Sequence, residues 1–260
     1  MFTEEALLKR FFFFDIDGTV AHSLTAIVPE STREALAELQ RQGNFVALAT
    51  GRLQADAWKM AEKLDLTALV SDGGSCLTID GQILYHDGLS LPLVAEMLDD
   101  LDVEKHPWAA VPKNEMVRYS RDGRYEDMVE ERYYKTIIDP QFDYHKADCL
   151  YKLYIACERS EEKTIPFHGL PHVWFWGNSL LIEPTAKERG IEKVLRRYGA
   201  EDSQVVVFGD GTNDVSMFRP EWMSVAMGNA KPVLKERAKY VTDTVDNDGI
   251  WKACKKFGWI

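Results

Sequence analysis

Short apolar runs alternate with helix-like patterns along most of the chain. Phe11–Phe14 is apolar throughout, which is typical of a strand covered on both faces in a parallel sheet. Ser31 or Thr32 can cap a helix whose apolar positions recur at helical spacing until Gly43 ends it. A second apolar run, Phe45–Ala49, predicts the next strand.

This strand–helix–strand order surrounds a different central region. A helix over residues 54–64 and a strand over 68–70 complete the first half, and the same order returns late in the chain. There the pattern predicts a helix over 186–198, a strand over 205–208, a helix over 214–218, a strand over 223–226 and a helix after Lys231. Because such crossovers are right-handed, we expect the early and late strands to form one open parallel sheet.

The central region has the pattern of a second domain. Residues 77–85 resemble a hairpin with Asp80-Gly81 at its turn. Beyond it lie predicted strands over 108–111, 116–119, 150–156 and 172–176, and helical stretches over 92–101 and 125–135. We therefore predict a Rossmann-like α/β parallel-sheet core over residues 1–86 and 181–260, with an inserted α+β domain over 87–180.

Composition narrows the classes of partner. In this chain of 260 residues, a formal net charge of −11 and a pI near 5.1 argue against nucleic-acid binding, which needs clustered Lys and Arg. Its four cysteines form no CxxC pair, which disfavours structural zinc and a disulfide framework. Lys9 and Arg10 interrupt the apolar N-terminal stretch, so we expect no signal peptide and no membrane partner. The cysteine pattern favours reduced thiols and hence a cytoplasmic location.

Acidic residues follow the first predicted strand. Asp15 and Asp17 come at its carboxyl end, which is the edge where open α/β sheets bind ligands. Residues two apart can face one side of an extended backbone, and Gly18 allows a sharp turn after them. Asp and Gly are also common in ordinary turns, so this motif alone leaves a structural role open.

Polar groups also follow two other predicted strands. Thr50-Gly51-Arg52 combines a hydroxyl, glycine amides and a helix N-terminus, which together suit an anion, although the same residues occur in ordinary helix caps. Gly209–Asp214, with the sequence GDGTND, adds carboxylates at the same edge. Carboxylates from two strand ends can enclose Mg²⁺, which prefers oxygen ligands. Lys187 begins the preceding helix and is either directed at this edge or an ordinary solvated lysine.

These motifs resemble those of the haloacid dehalogenase superfamily, specifically Cof-like phosphatases with a type IIB cap. DIDGT at 15–19, ATGR at 49–52, the lysine of TAKERGIEKVL and GDGTND at 209–214 match the four family motifs in order. The resemblance extends to VAMGNA at 225–230 and DNDGIWKACKKFG at 246–258. It covers essentially the whole chain, with the cap between the second and third motifs.

The resemblance implies a role for each motif residue. Asp15 would be the nucleophile that forms an aspartyl phosphate, and Asp17 the acid and base that also offers a backbone carbonyl to the metal. Lys187 would neutralise phosphoryl oxygens and assist catalysis. Asp210 and Asp15 would be Mg²⁺ ligands, and Asn213 and Asp214 would lie around the metal's water shell. Thr50 and the Gly51 amide would bind the phosphate.

The substrate should be selected by the inserted domain. In a strand, Trp174 and Trp176 share one face, and they form either an aromatic wall for a sugar or one side of a sheet packed on both faces. Asn178 and Arg52 are further candidates for substrate contact, as are Glu115 and Arg118. The resemblance thus implies a Mg²⁺-dependent phosphatase for small phosphorylated metabolites, with sugar phosphates the first expectation.

Two alternatives remain from the sequence. A phosphomutase would use the same two aspartates but return the phosphoryl group to its substrate. A non-catalytic protein that binds a phosphorylated ligand is a second alternative, although it would not need an acid beside a nucleophile. The sequence makes no prediction about oligomeric state.

Overall fold

A computed structural model describes residues 9–260, which form two compact units. The core unit comprises the described chain up to Gly51, Ala57–Tyr85 and Ala186–Ile260, and the cap unit comprises Arg52–Asp56 and His86–Thr185. Residues 1–8, with which the predicted core begins, lie outside the described part. The strand Ser179–Ile182 belongs to the sheet of the cap unit, whereas the predicted inserted domain ends at residue 180.

The regular elements are numbered in chain order. The strands are β1 (Phe11–Phe14), β2 (Phe45–Ala49), β3 (Ala68–Ser71), β4 (Cys76–Ile79), β5 (Gln82–His86), β6 (Trp108–Val111), β7 (Val117–Ser120), β8 (Lys135–Ile138), β9 (Lys152–Ala156), β10 (His172–Trp176), β11 (Ser179–Ile182), β12 (Val205–Gly209), β13 (Met223–Ala226) and β14 (Tyr240–Val241). The α-helices are α1 (Glu30–Arg41), α2 (Gln54–Lys63), α3 (Leu91–Glu104), α4 (Arg124–Met128), α5 (Lys187–Tyr198), α6 (Pro232–Arg237) and α7 (Gly249–Lys256).

An eight-stranded sheet has the order β14-β13-β12-β1-β2-β3-β4-β5 and is parallel from β14 through β3. The predicted sharing of one sheet by early and late strands is confirmed. Side chains of β1 alternate between two hydrophobic clusters: Phe12 and Phe14 pack with α1 and α7, and Phe11 and Phe13 pack with α5. Strand β1 pairs in parallel with β12 on one side and β2 on the other, so the carboxyl ends of these three strands share one edge.

The cap unit contains a six-stranded sheet of order β10-β11-β9-β6-β7-β8, antiparallel apart from the β7–β8 pair. Helix α3 covers one face, where Val94 and Leu98 join Leu153 in a cluster. The opposite face carries Tyr154 and Leu181 in a separate cluster. The predicted class, an α/β parallel-sheet core with an inserted α+β cap, is confirmed.

Local sequence signals predict the hairpin correctly but misplace the end of one helix and the cap of another. Asp80 and Gly81 both have positive φ, as the turn between β4 and β5 requires. The predicted helix over 125–135 is wrong after Met128, because the chain becomes extended and then forms β8. Helix α1 begins after Pro29, whose φ of −59° suits a helix start, so neither Ser31 nor Thr32 is its cap.

Two further expectations concern short segments and cysteines. The predicted helix over 214–218 is a 3₁₀ segment, Thr212–Met217. All four cysteines are free thiols, as expected. No helix within residues 9–260 combines the length and hydrophobicity that crossing a membrane requires.

Candidate active site

Asp15 directly follows β1, and its backbone still bonds to the neighbouring strand β12. Its N–H donates to the carbonyl of Phe208 at 3.0 Å, and its side chain is buried. Asp17 is half-buried and forms a short backbone bridge with Ala21. The strand therefore fixes Asp15 firmly at the sheet edge, with Asp17 in the turn that follows.

Gly18 allows that turn to approach the next motif. Its φ is +86°, and a Cβ atom built on it would lie 2.3 Å from Oδ2 of Asp210. No other residue fits this close approach without displacing the carboxylate. The hydroxyl of Thr19 donates to Oδ1 of Asp210 at 3.0 Å, so the first and fourth motifs are bonded directly.

Lys187 is fully buried and joins two carboxylates. Its Nζ donates to Oδ1 of Asp15 at 2.5 Å and to Oδ1 of Asp214 at 2.6 Å. Of the two interpretations of Lys187, the solvated helix lysine is wrong. Helix α5 brings it there because Gly190, one turn later, packs so closely on β3 that a Cβ atom would lie 2.4 Å from Val70.

The GDGTND loop folds around Asp214. Its Oδ2 accepts hydrogen bonds from the backbone N–H groups of Asp210 at 3.0 Å and Gly211 at 2.9 Å. Asn213 is half-buried, and its side-chain oxygen lies against Gly211. Both oxygens of Asp214 are therefore engaged by donors, one by Lys187 and one by two amides.

The charges at this edge disfavour further negative charge. Burial, followed by the charge of Asp214, raises the pKa of Asp15 well above its usual value, although Lys187 opposes this. Burial and Asp214 also raise the pKa of Asp210 to about 7, against the hydrogen bond from Thr19. Burial alone would lower the pKa of Lys187, but the two carboxylates outweigh it and the pKa is raised. Lys187 is thus a fixed cation among excess carboxylates.

The donor set fits a divalent cation. Asp15, Asp210 and Asp214 each offer a carboxylate oxygen, and these oxygens lie within 4.8 Å of one another. Oxygen donors and uncompensated negative charge are the chemistry that Mg²⁺ prefers. This cluster contains Asp214 in place of the predicted Asp17, whose assigned contribution is a backbone carbonyl.

Thr50 follows β2 at the same edge. Its N–H donates to Val70 at 2.9 Å, and its carbonyl accepts from Gly73 at 3.1 Å, so the backbone is held from the β3 side. Thr50 is buried and Gly51 is half-buried. Arg52, the next residue, belongs to the cap unit and donates to Oδ2 of Asp56 at 3.2 Å.

The other substrate candidates also belong to the cap unit. Trp174 donates its indole N–H to Glu162 at 2.8 Å, and Arg159 lies over its ring. Trp176 is 56% exposed and follows a register shift in the β10–β11 pair. Asn178 donates to Glu158 at 2.9 Å. Trp174 is therefore engaged within the cap, whereas Trp176 presents its ring to solvent.

Two ion pairs are buried inside the cap unit. Arg118 is 0% exposed and pairs with Glu131, while Lys152 pairs with Glu183. The Arg118 guanidinium also donates to the hydroxyl of Tyr125 at 3.1 Å. Burying such charges costs desolvation energy, so the loss of either partner would leave an uncompensated charge inside the cap.

Sequence reasoning missed Asn229 as a member of the site. Its Nδ2 donates to the carbonyl of Gly18 at 2.8 Å, and its Oδ1 accepts from the N–H of Val245 at 3.1 Å. Asn229 follows β13 at the same sheet edge. That position was the available signal, because polar residues after every neighbouring strand belong to one edge.

Comparison with known proteins identifies the family to which the chain belongs. The family model of haloacid dehalogenase-like hydrolases matches residues 12–254. The chain is 33% identical over 256 residues to the putative phosphatase YkrA of Bacillus subtilis strain 168, covering 96% of this chain and 98% of that protein.

Two further matches carry more specific names. The chain is 27% identical over 252 residues to 5-amino-6-(5-phospho-D-ribitylamino)uracil phosphatase YcsE of B. subtilis strain 168, covering 93% of this chain and 92% of that protein. The solved structure of BT4131, a HAD subclass IIB sugar phosphatase, aligns with a TM-score of 0.78 at 25% identity and covers 97% of this chain and 100% of that chain. The predicted family is confirmed: the protein is an enzyme of the haloacid dehalogenase-like hydrolases, of the phosphatase type.

Proposed function

We propose that this phosphatase hydrolyses small phosphorylated metabolites, sugar phosphates first, through an aspartyl phosphate on Asp15, with Mg²⁺ as cofactor. One observation carries the proposal: Asp15 is buried at the end of β1 with Lys187 bonded to it at 2.5 Å. A carboxylate held on a rigid strand beside a fixed cation is equipped to attack an anionic phosphoryl group.

In the first step an oxygen of Asp15 attacks phosphorus, and the bond from phosphorus to the ester oxygen breaks. Asp17 gives its proton to the departing oxygen. In the second step Asp17 accepts a proton from water, whose oxygen attacks phosphorus; the bond from phosphorus to the Asp15 oxygen breaks, which releases phosphate and regenerates Asp15. Lys187, the Thr50 hydroxyl and the Gly51 amide neutralise the phosphoryl oxygens, where charge concentrates in the transition state.

Asp15, Asp210 and the carbonyl of Asp17 would hold Mg²⁺, with Asn213 and Asp214 outside them. When bound, the ion supplies positive charge that offsets the repulsion between the Asp15 carboxylate and the phosphate ester. The hydrogen bonds of Asp214 favour this division, since Lys187 and two backbone amides already occupy its oxygens. Asp214 then orients Lys187 and the loop.

The substrate class rests on the named relatives. YcsE is named for a phosphate on a ribityl chain, and BT4131 is named a sugar phosphatase. Both names describe a phosphate on a carbon chain rich in hydroxyl groups. We therefore propose sugar and polyol phosphates as the first substrates to examine.

The test is phosphate release from a panel of sugar, polyol, nucleotide and carboxylic-acid phosphates with Mg²⁺. Wild type should release phosphate from sugar or polyol esters, and Asp15→Asn should be inactive, while Asp65→Asn, a change at an exposed aspartate, should behave as wild type. Rapid quenching should reveal wild-type protein heavier by one phosphoryl group. No release from any ester, or equal activity in Asp15→Asn, contradicts the proposal. An isomerised phosphate in place of free phosphate identifies a mutase.

A further inference from the structure

Residues 52–56 follow Thr50-Gly51 directly in the chain, yet they cluster with the cap unit. Leu53 is fully buried in the cap's hydrophobic cluster together with Tyr154. The next residue begins helix α2. The segment that leaves the proposed phosphate site is therefore packed as part of the cap.

Asn114 holds the beginning of that helix. Its Nδ2 donates to Oε1 of Gln54 at 2.7 Å, and its Oδ1 accepts from the N–H of Ala55 at 2.9 Å. The first N–H groups of a helix have no acceptor within the helix, and the residue before α2, Leu53, has no side-chain oxygen to offer. Asn114 supplies the missing cap from a distant part of the sequence.

Tyr133 holds the same turn from a second side. Its hydroxyl donates to Oδ2 of Asp56, the oxygen that also accepts from Arg52. The backbone N–H of Tyr133 donates to Oε2 of Glu131 at 3.0 Å, and Glu131 is the buried partner of Arg118. Tyr133 thus connects the first turn of α2 to the buried Arg118–Glu131 ion pair in the cap interior.

We propose that Asn114 and Tyr133 are positioning residues for the phosphate site. By fixing the first turn of α2 they fix the backbone that continues from Gly51, and so the amide and hydroxyl that would receive the phosphoryl group. This inference rests on the proposed function of Thr50 and Gly51. Neither residue needs to contact the substrate, since a small displacement of aligned groups is sufficient to lower the rate.

Three variants test this. Asn114→Ala removes both bonds to α2 and should lower kcat/KM about 10-fold or more, and Tyr133→Phe should lower it about 3-fold. Asn114→Asp keeps an oxygen that accepts from Ala55 and should recover most of the loss. Tyr119→Phe is the matched control, because this tyrosine stacks on Phe142 elsewhere in the cap and should behave as wild type.

Two readouts separate positioning from other roles. The loss in Asn114→Ala should be the same for esters with large and small leaving groups, since all share the phosphoryl group. Calorimetry with inorganic phosphate and Mg²⁺ should show affinity reduced about 10-fold in Asn114→Ala and restored in Asn114→Asp.

Unchanged kcat/KM and phosphate affinity overturn the inference, as does a lowered Tm with normal kinetics, which indicates a purely structural role. A loss that differs widely between leaving groups also overturns it and indicates substrate contact by the cap. If wild type turns over no ester, the proposed function fails, while the phosphate calorimetry still decides whether Asn114 positions an anion site.

Discussion

Replacement of Asp210 by asparagine should stabilise the metal-free protein at neutral and alkaline pH. Burial, and after it the charge of Asp214, raise the pKa of Asp210 from 3.8 to about 7 in the folded protein. The folded protein therefore keeps a proton that the unfolded chain releases. Its stability is greatest below the unfolded pKa and falls as the pH rises towards 7, after which the full loss remains.

The loss of stability at high pH follows from the size of the pKa shift of Asp210. About three pKa units at 1.36 kcal/mol each correspond to about 4 kcal/mol, and the partial solvent exposure of Asp210 reduces this to about 2–4 kcal/mol. Asparagine keeps the oxygen that accepts from Thr19 but cannot ionise. The variant should therefore match wild type near pH 4 and exceed it by about 2–4 kcal/mol at pH 8.

Urea unfolding with a chelator present, at several values between pH 4 and pH 8, measures both profiles. Subtracting the two curves removes contributions common to both proteins, including most of that from Asp15. Mg²⁺ added at pH 8 should stabilise wild type and have much less effect on Asp210→Asn. Asp65→Asn controls for the loss of one surface charge. A wild-type-to-variant difference that does not change with pH refutes the reasoning.

Three other substitutions have definite expected outcomes. Gly18→Ala should cost at least about 2 kcal/mol of unfolding free energy by urea titration and abolish activity, whereas Gly43→Ala, with similar φ but open space around it, should cost only about 1 kcal/mol; equal costs would contradict the clash. Arg118→Met should lower the free energy of unfolding by about 3–5 kcal/mol, and adding Glu131→Leu should restore much of it, because the unpaired buried charge is then gone. A double variant no more stable than the single variant would contradict this. Lys187→Met should lower kcat about 1,000-fold in the phosphate-release assay, and near-normal turnover would exclude its proposed role.

The core was predictable because its signals are local. The phenylalanines of β1 indicate a strand buried on both faces, and acids after β1 and β12 indicate the ligand edge without any knowledge of distant contacts. The same rule predicts Asp15 at that edge and allows Lys187 to reach it, although the two residues are 172 positions apart in the sequence. Four motifs in one order made the family recognisable.

The features that could not be predicted depend on partners distant in sequence. The position of Asn229 after β13 indicates the sheet edge, but its hydrogen bond to Gly18 spans 211 residues, and no local pattern encodes that pairing. The residues after Met128 favour a helix, yet the chain is extended at Val129 and forms β8 from Lys135, and Glu131 between them pairs with Arg118. Tertiary contacts outweigh weak helix propensity there.

The two buried ion pairs of the cap constrain how its specificity can change over evolution. A single substitution at Arg118 or Lys152 leaves its carboxylate partner charged and enclosed, so most one-step variants should fail to fold well. Remodelling this interior requires two mutations at once, or a neutralising change first. Exposed positions such as Trp176 carry no such penalty. Descendants of this enzyme should therefore acquire new substrates through substitutions at exposed positions of the cap before substitutions in its interior.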